Sequence, residues 1–326
     1  MTTGEHCQDT AECLYERINN GREIRVNACR GYGDTALIPE TIEGLPVTEL
    51  GPYMFSEGKR TAPVGEWTVA HESGKEPPLI EGKRLKTLAL PSSVRKAGKY
   101  AFYNCHQWER LVCHSTFNDI GAGAFTGCKH LTHLDITMEP DVPRPGLKDI
   151  LSELRQEVHV TYRTKEGSTR LVFPEFYEDA VENTPARIVS VKVYGSGHFY
   201  RYCFDGRDLQ FKDYDAQFEN LVILDREELA VEAAVGRLRG PVSLTAEARE
   251  RYLEYLSAHK TGAASWFFKE QDTAGLKWLL DTVDFDENDL AAAIEAAGKA
   301  QAAEGLSVLM DYRHRKFRPK RRTFEL

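Results

Sequence analysis

The sequence lacks the features of a secretion signal and of a membrane span. Its first ten residues contain neither a basic start nor an apolar stretch, and no later segment approaches the roughly 18 apolar residues of a spanning helix. The seven cysteines are an odd set at irregular spacing with no C-x-x-C pair, which favours thiols over a disulfide framework. We therefore expect a cytoplasmic protein.

Motifs that carry catalysis are also missing. The sequence contains no G-x-S-x-G, no G-x-x-x-x-G-K-S/T and no H-E-x-x-H, and Gly195-Ser196-Gly197 is interpreted as a hairpin turn. One short stretch is rich in acids, although a solvated helix or loop face has the same spacing. Its members are Glu175, Glu178, Asp179 and Glu182. Because no set of catalytic groups converges, we expect a protein that is not an enzyme and binds no cofactor.

A 23-residue repeat dominates the first 140 positions. An L-x-x-L-x-L segment starts at Leu85, and the similar segment from Leu131 ends in Ile136. A variant that starts with Trp108 lies midway between them. The same spacing separates Phe102 from Phe125. A fixed period of this length is typical of stacked coils that bury their hydrophobic faces against each other. The repeat predicts a solenoid with Phe102 and Phe125 stacked in its core.

Within each coil, alternate residues of the L-x-L segment are predicted to point inward and outward. The inward set is Leu88, Leu90, Leu111, Cys113, Leu134 and Ile136. Parallel stacking of the coils about 4.8 Å apart aligns the outward residues in two exposed ladders. The first ladder is Thr87, Arg110 and His133, and the second is Ala89, Val112 and Asp135.

Two metal sites are suggested by composition and are not favoured by spacing. Histidine and cysteine are concentrated in residues 105–133, as in zinc sites, but the repeat explains the thiols as small buried side chains. Residues 284–295 place oxygen ligands as in an EF-hand loop, but Asp289 stands where that loop requires glycine. We expect Asp286 and Asp289 to cap a helix instead, and we expect no metal.

Residues 38–55 and 90–105 resemble the BspA-like leucine-rich repeat family of bacteria. The resemblance covers about residues 30–137 and rests on Pro-Ser-Ser-Val, Gly-x-x-Ala-Phe and Cys-x-x-Leu pieces in the same order. It implies a parallel-strand solenoid and, for secreted members, adhesion to host proteins. Residues 173–177 and 182–187 are similar to the tail of signal-less members of this family in anaerobic gut bacteria.

The chain divides into three predicted regions. Residues 1–140 form a leucine-rich repeat domain, with a hairpin at 13–28 as its N-terminal cap and a surface insertion at 57–82. Residues 141–224 contain a capping helix at 146–155 and a β-rich connector. The strand-like runs of the connector are residues 158–163, 170–173, 186–194 and 198–204.

Residues 225–326 are predicted to form a helical-pair domain with a basic tail. Its first two helices are expected at residues 225–239 and 245–260, the second ended by Gly262. An offset of 30 then relates residues 275–281 to 305–311, which suggests ankyrin-like stacking although the T-P-L-H start is missing. The predicted fold class is α+β: a short leucine-rich-repeat parallel-strand solenoid, a β-rich connector and C-terminal helical pairs.

We predict a non-enzymatic scaffold that binds a protein partner through the exposed ladders of the sheet. The predicted partner-binding residues are Thr87, Arg110, Val112, His133 and Asp135. Because both are expected to be exposed, replacing Arg110 and Asp135 together should weaken partner binding and leave the melting temperature nearly unchanged.

Two alternative functions remain open. Residues 313–322 carry seven positive charges and no acid in a chain of net charge −8, so this tail can bind nucleic acid or an anionic surface, with Phe317 and Phe324 available to stack. Contact with the chain's own acidic body is the simpler interpretation. The second alternative is a surface adhesin, which requires export without a recognised signal.

Overall fold

The computed structural model describes residues 11–57, 62–72, 74–142, 145–183 and 188–317. Contacts divide the chain into two compact units, Met1–Gln217 and Phe218–Leu326. The strands of the first unit are β1 (Glu12–Ile18), β2 (Glu23–Arg30), β3 (Thr35–Leu37), β4 (Thr41–Ile42), β5 (Leu45–Leu50), β6 (Glu66–Trp67), β7 (Thr87–Ala89), β8 (Lys96–Ala97), β9 (Arg110–His114), β10 (Asp119–Ile120), β11 (His133–Thr137), β12 (Val158–Thr164), β13 (Gly167–Phe173), β14 (Tyr177–Asn183), β15 (Ile188–Tyr194), β16 (Phe204–Asp205) and β17 (Asp208–Leu209). Its helices are α1 (Leu147–Glu153), α2 (Gly197–Arg201) and α3 (Phe211–Ala216). The helices of the second unit are α4 (Phe218–Leu224), α5 (Glu227–Arg239), α6 (Ala246–Ala258), α7 (Lys260–Lys269), α8 (Thr273–Thr282), α9 (Glu287–Lys299) and α10 (Ala303–Lys316).

An N-terminal hairpin lies near one edge of the first sheet. β1 and β2 pair antiparallel across a turn in which Asn19, Asn20 and Gly21 have φ values of 50°, 58° and 77°. Asparagine and glycine adopt such values more readily than other residues, so the local sequence favours this turn. β2 pairs parallel with β5, and the sheet has the order β10-β8-β5-β2-β1-β6. The edge strand β6 comes from the segment predicted as a surface insertion.

The second sheet contains the repeat strands, in the order β13-β12-β11-β9-β7-β3. Thr87 pairs with Arg110, and Arg110 pairs with His133, so residues 23 positions apart lie side by side in parallel strands. This register confirms the predicted solenoid. β12 adds a further parallel strand, with His159 beside His133, and β13 follows antiparallel. The sheet therefore continues beyond the last coil that carries the sequence motif.

Aromatic rings stack from coil to coil inside the solenoid. Phe55, Phe102 and Phe125 are buried, and successive ring centroids are 6.0 Å and 5.3 Å apart. The ring of Trp108 lies 4.7 Å from that of Phe102. These contacts confirm that Phe102 and Phe125 are core residues.

The predicted strand at residues 198–204 and its hairpin turn are wrong. Residues Gly197–Arg201 form α2, and β15 pairs with β14. Of the acidic stretch, Glu178, Asp179 and Glu182 lie in β14, and Glu175 lies in the loop before it. Residues 186 and 187 of the predicted run lie outside the described residues.

The guanidinium of Arg201 donates to four carbonyls, those of Leu154, Gln156, Pro174 and Gly197. These bonds join α2 to separate segments, and local sequence patterns do not reveal such contacts.

The second unit contains stacked helix pairs. α7 packs on α8 and α9 packs on α10, and the two pairs contact each other through α7 with α9 and α8 with α10. Gln271 and Gln301 lie between the helices of each pair and both have a φ of 54°. The 30-residue offset is therefore a structural repeat, which confirms the helical pairs, while ankyrin geometry stays a prediction.

The predicted helix end at Gly262 is wrong. α6 ends at Ala258, and α7 begins at Lys260 and includes Gly262. A Cβ atom at this position would lie 1.9 Å from Oε1 of Glu227 on α5. Glycine therefore makes room for a neighbouring side chain here instead of ending a helix.

Candidate functional site

The outward side of β7, β9, β11, β12 and β13 forms a continuous surface, which we call the sheet face. It contains Thr87, Ala89, Arg110, Val112, His114, His133, Asp135, Thr137, His159, Thr161, Arg163, Ser168 and Arg170. The inward neighbours Leu88, Leu111 and Leu134 are buried and fix which side of each strand faces out. The register thereby places all five predicted partner-binding residues on one face.

These five residues differ in exposure. Arg110 and His133 are exposed, and Thr87 and Val112 are half-buried. Asp135 has only 6% of its surface exposed, so the expectation that it belongs to an exposed ladder is wrong. The physical reason is that two arginine side chains contact its carboxylate from either side.

Asp135 is bound by arginines from both neighbouring strands. Nη1 of Arg110 on β9 lies 2.5 Å from Oδ2 of Asp135, and Nη2 of Arg163 on β12 lies 3.2 Å from Oδ1. A buried carboxylate needs charged or hydrogen-bonding partners, and bonds between charged groups are stronger than neutral ones. Arg110 and Arg163 still expose 47% and 46% of their side chains. We call these three side chains the Arg-Asp-Arg network.

Histidines extend the polar part of the sheet face. The rings of His133 and His159 stack with their centroids 5.3 Å apart. Nε2 of His159 lies 3.1 Å from a carboxylate oxygen of Glu157, and Nδ1 of His114 lies 2.6 Å from one of Glu139. Glu139 follows β11 and Glu157 precedes β12, so both acids lie beside the face.

The sequence did not predict the part of the face that β12 and β13 contribute. His159 and Arg163 lie 26 residues after the β11 residues with which they pair, and Arg170 lies further along the chain on β13. None of the three follows the 23-residue spacing. The in-and-out alternation of residues 158–163 is the signal that could have found them. With them included, the face carries three arginines against one aspartate, whereas the whole chain has a net charge of −8.

The cysteines of the repeat are buried. Cys105, Cys113 and Cys128 expose 2% of their surface or less, which confirms that they act as small core side chains. Burial raises the pKa of the Cys113 thiol, and the charge of Asp135 adds to this rise. Among the residues that the structure describes, no three His, Cys, Asp or Glu side chains are grouped so that they could hold a metal ion.

The acidic segment at residues 284–289 is engaged in local contacts. Asp286 and Asp289 form a reciprocal capping box at the start of α9, with N to O distances of 2.8 Å and 3.0 Å. Nζ of Lys260 lies 2.5 Å from Oδ2 of Asp289, and Lys316 pairs with Asp284. The prediction that these residues cap a helix is confirmed.

An open depression in the first unit contains a buried thiol. It is lined by His198, Phe199, Tyr202, Cys203, Asp213 and Gln217. Burial raises the pKa of Cys203 to about 12, with further contributions from Asp213 and Asp215. The thiol therefore stays protonated at neutral pH, and thiolate is the reactive form of cysteine.

Part of the basic segment contacts its own unit. Lys316, in the last turn of α10, pairs with Asp284 and donates to the carbonyl of Phe285. Arg313 and Arg315 lie in the same last turn and are exposed, whereas Arg318, Lys320, Arg321 and Arg322 lie outside the described residues, as does Phe324. No helix in the described ranges has the length and apolar character needed to cross a membrane.

Comparison with known proteins agrees with the repeat geometry. Residues 80–141 match the family described as BspA type Leucine rich repeat region (6 copies). No curated protein matches the sequence. A leucine rich repeat protein of T. pallidum is 24% identical, with 40% of this chain and 53% of that chain covered and a TM-score of 0.29. A leucine rich cell surface protein from Faecalibacterium prausnitzii A2-165 is 17% identical, with 52% and 43% covered and a TM-score of 0.26.

The match spans about half the length of these two proteins. The resemblance of the C-terminal region to signal-less family members stays a prediction. For the repeat strands, the family match and the 23-residue register agree, and residues 80–141 are therefore a BspA-type leucine rich repeat region.

Proposed function

We propose that the protein is a non-enzymatic interaction module and that the sheet face binds a protein partner. Leucine-rich repeats of this type commonly mediate protein interaction or adhesion, which supports the general role. The observation that carries the proposal for this face is the Arg-Asp-Arg network. It holds two half-exposed guanidinium groups in defined positions on an open sheet.

The construction of the face suits such a role. The inward ladder of Leu88, Leu111 and Leu134 maintains the coils, so outward side chains can specify a partner without supporting the core. Arginine is enriched at protein interfaces because its planar group makes several directed hydrogen bonds at once. Val112 and Ala89 lie beside the network and offer apolar contact area.

A steric block tests this proposal. Val112→Trp places a large ring on the sheet face, and Val64→Trp places the same ring in the segment before β6, where Val64 is 75% exposed. Proteins captured from a lysate by the unaltered chain and by Val64→Trp should be lost with Val112→Trp. Equal capture by both variants, with unchanged circular dichroism, would contradict a partner site on this face.

The basic tail is not proposed as the site. Of its described cations, Lys316 bonds to Asp284 and to the carbonyl of Phe285, which favours contact with the chain's own unit. A chain that ends at Asp311 should therefore capture the same proteins as the full chain.

A further inference from the structure

We infer that the sheet face recognises an acidic, extended segment of its partner. This inference rests on the proposed function and adds the chemistry of the bound segment. Three exposed arginines lie on one face of the sheet: Arg110 on β9, Arg163 on β12 and Arg170 on β13, with β11 between the first two strands. The one carboxylate among the face residues, that of Asp135, is buried between two of them. At the Arg-Asp-Arg network a partner therefore meets guanidinium groups and not the carboxylate of Asp135. The acids beside the face, Glu139 and Glu157, pair with His114 and His159.

The spacing of the arginines fits carboxylates on one strand-like segment. Arg110 and Arg163 contact the two oxygens of the same carboxylate, so their guanidinium groups lie on either side of it. Alternate side chains of an extended peptide are about 7 Å apart on one side of the chain. Each guanidinium carries five N–H donors, and its fork geometry matches carboxylate. Acids at alternate positions can thus reach both groups.

An acidic peptide fits this face better than nucleic acid. Single-stranded nucleic acid binds on aromatic side chains that stack with bases, and the described face positions include no Phe, Tyr or Trp. Duplex binding requires many phosphate contacts and a strongly basic surface, whereas this chain has a net charge of −8. A carboxylate-bearing segment needs only the few cations that are present.

The test uses fluorescein-labelled peptides and fluorescence anisotropy on the full chain. One peptide alternates Glu with Ser, and its control alternates Gln with Ser. The variant is Arg163→Gln with Arg170→Gln, because Arg110 then still neutralises Asp135. The matched control is Arg17→Gln with Arg95→Gln, since these arginines are 54% and 57% exposed and do not belong to the sheet face.

The Glu peptide should bind the unaltered chain, and the Gln peptide should not. The face variant should raise the Kd about tenfold, as expected for the loss of two exposed charge contacts, while the control variant changes it little. Absent binding of the Glu peptide, or equal weakening by both variants, would overturn the inference. Equal binding of both peptides that Val112→Trp blocks would also overturn the inference, because the face would then bind peptides without recognising charge. If Val112→Trp blocks no captured protein, the proposed function itself fails.

A second inference comes from the N-terminal hairpin, where two thiols face each other. Cys13 on β1 and Cys29 on β2 are paired in register, and their Sγ atoms are 3.8 Å apart. The N–H and C=O of Cys13 bond to Thr68, and the C=O of Cys29 accepts from Ile80. The two cysteines therefore form a non-hydrogen-bonded pair, the kind whose Cα atoms approach to about 4.5 Å and whose side chains lie closest.

We propose that Cys13 and Cys29 form a cross-strand disulfide when a small disulfide such as oxidised glutathione is present. The two thiols lose two protons and two electrons to form the S–S bond, and oxidised glutathione takes them up to become two glutathione thiols. A disulfide requires Cα atoms about 4.4 to 6.8 Å apart, which the pair geometry satisfies. In the reducing cytoplasm that the sequence predicts, the pair stays a dithiol.

Both thiols are buried in the folded chain. Oxidised glutathione can therefore reach them only while the chain folds or while the hairpin is open. A Cys7→Ser chain is refolded in glutathione buffers of increasing oxidised fraction, and the tryptic peptides are identified by mass spectrometry. The expected product is a Cys13 to Cys29 cross-link with the mass of two hydrogens lost, absent from Cys29→Ala. The proposal is overturned if the chain folds in excess oxidised glutathione and the thiols of Cys13 and Cys29 stay reduced or pair with other cysteines.

Discussion

Replacing Asp135 with alanine is expected to destabilise the first unit more than replacing Arg110. Asp135 is buried and binds two arginines, whereas Arg110 is half-exposed and binds one carboxylate that keeps Arg163 as a second partner. Removing the acid leaves two like charges close together. Removing Arg110 leaves the acid with a bond of 3.2 Å to Arg163.

The expected sizes follow from the burial of each group. A hydrogen bond to a charged group contributes about 1.5 to 3 kcal/mol, and partial exposure of a partner reduces this contribution. We expect Asp135→Ala to lower the free energy of unfolding by about 2 kcal/mol and Arg110→Ala by about 1 kcal/mol. The double variant should cost less than the sum, because both changes remove the same bond. The melting temperature of that variant should therefore fall, in contrast to the expectation from the sequence.

Native-state hydrogen exchange is measured on peptides that cover β9, β11 and β12. It gives the free energy of unfolding of this region separately from that of the second unit. Arg17→Ala is the control for loss of an exposed arginine, since it lies outside the sheet face. Equal costs for Asp135→Ala and Arg110→Ala, or strictly additive costs in the double variant, would refute this account of the network.

Three further results are expected. Arg201→Ala should lower the stability of the first unit by about 3 kcal/mol in urea unfolding, because four carbonyls lose their donor; an effect below about 1 kcal/mol would contradict this. Asp286→Ala should cost about 1 kcal/mol through loss of the capping box of α9, and Glu295→Ala on the same helix should cost little. At pH 8, Cys203 should react with iodoacetamide roughly a thousandfold more slowly in the native chain than in urea, because its pKa is raised from 9.0 to about 12 and the thiolate fraction falls accordingly. Alkylation at similar rates in both states would show that the thiol is not buried as described.

The solenoid register could be predicted because one spacing applies to several residue types at once. A shift by a single residue would move Leu88, Leu111 and Leu134 to the solvent side, so the apolar pattern permits one alignment. The helix pairs followed from the 30-residue offset for the same reason. Gln271 and Gln301 occupy equivalent positions with equal backbone angles.

The missed parts depend on contacts between segments that are distant in sequence. Asp135 looks like an outward ladder residue until β12 brings Arg163 beside it, and β12 does not follow the 23-residue period. The segment around α2 has strand-like composition, but the bonds of Arg201 to four carbonyls hold it as a helix. Local propensity carries no information on either contact.

The most direct test of a partner site on the sheet face is photo-crosslinking from the face itself. A benzophenone amino acid replaces Val112 in one chain and Val64 in another, and both chains are irradiated in lysate of the source cell. The account predicts a protein adduct from position 112 that is absent from position 64, with the crosslinked partner peptide rich in Asp and Glu. Adducts that form equally from both positions, or from position 64 alone, would contradict the claim that this face binds the partner.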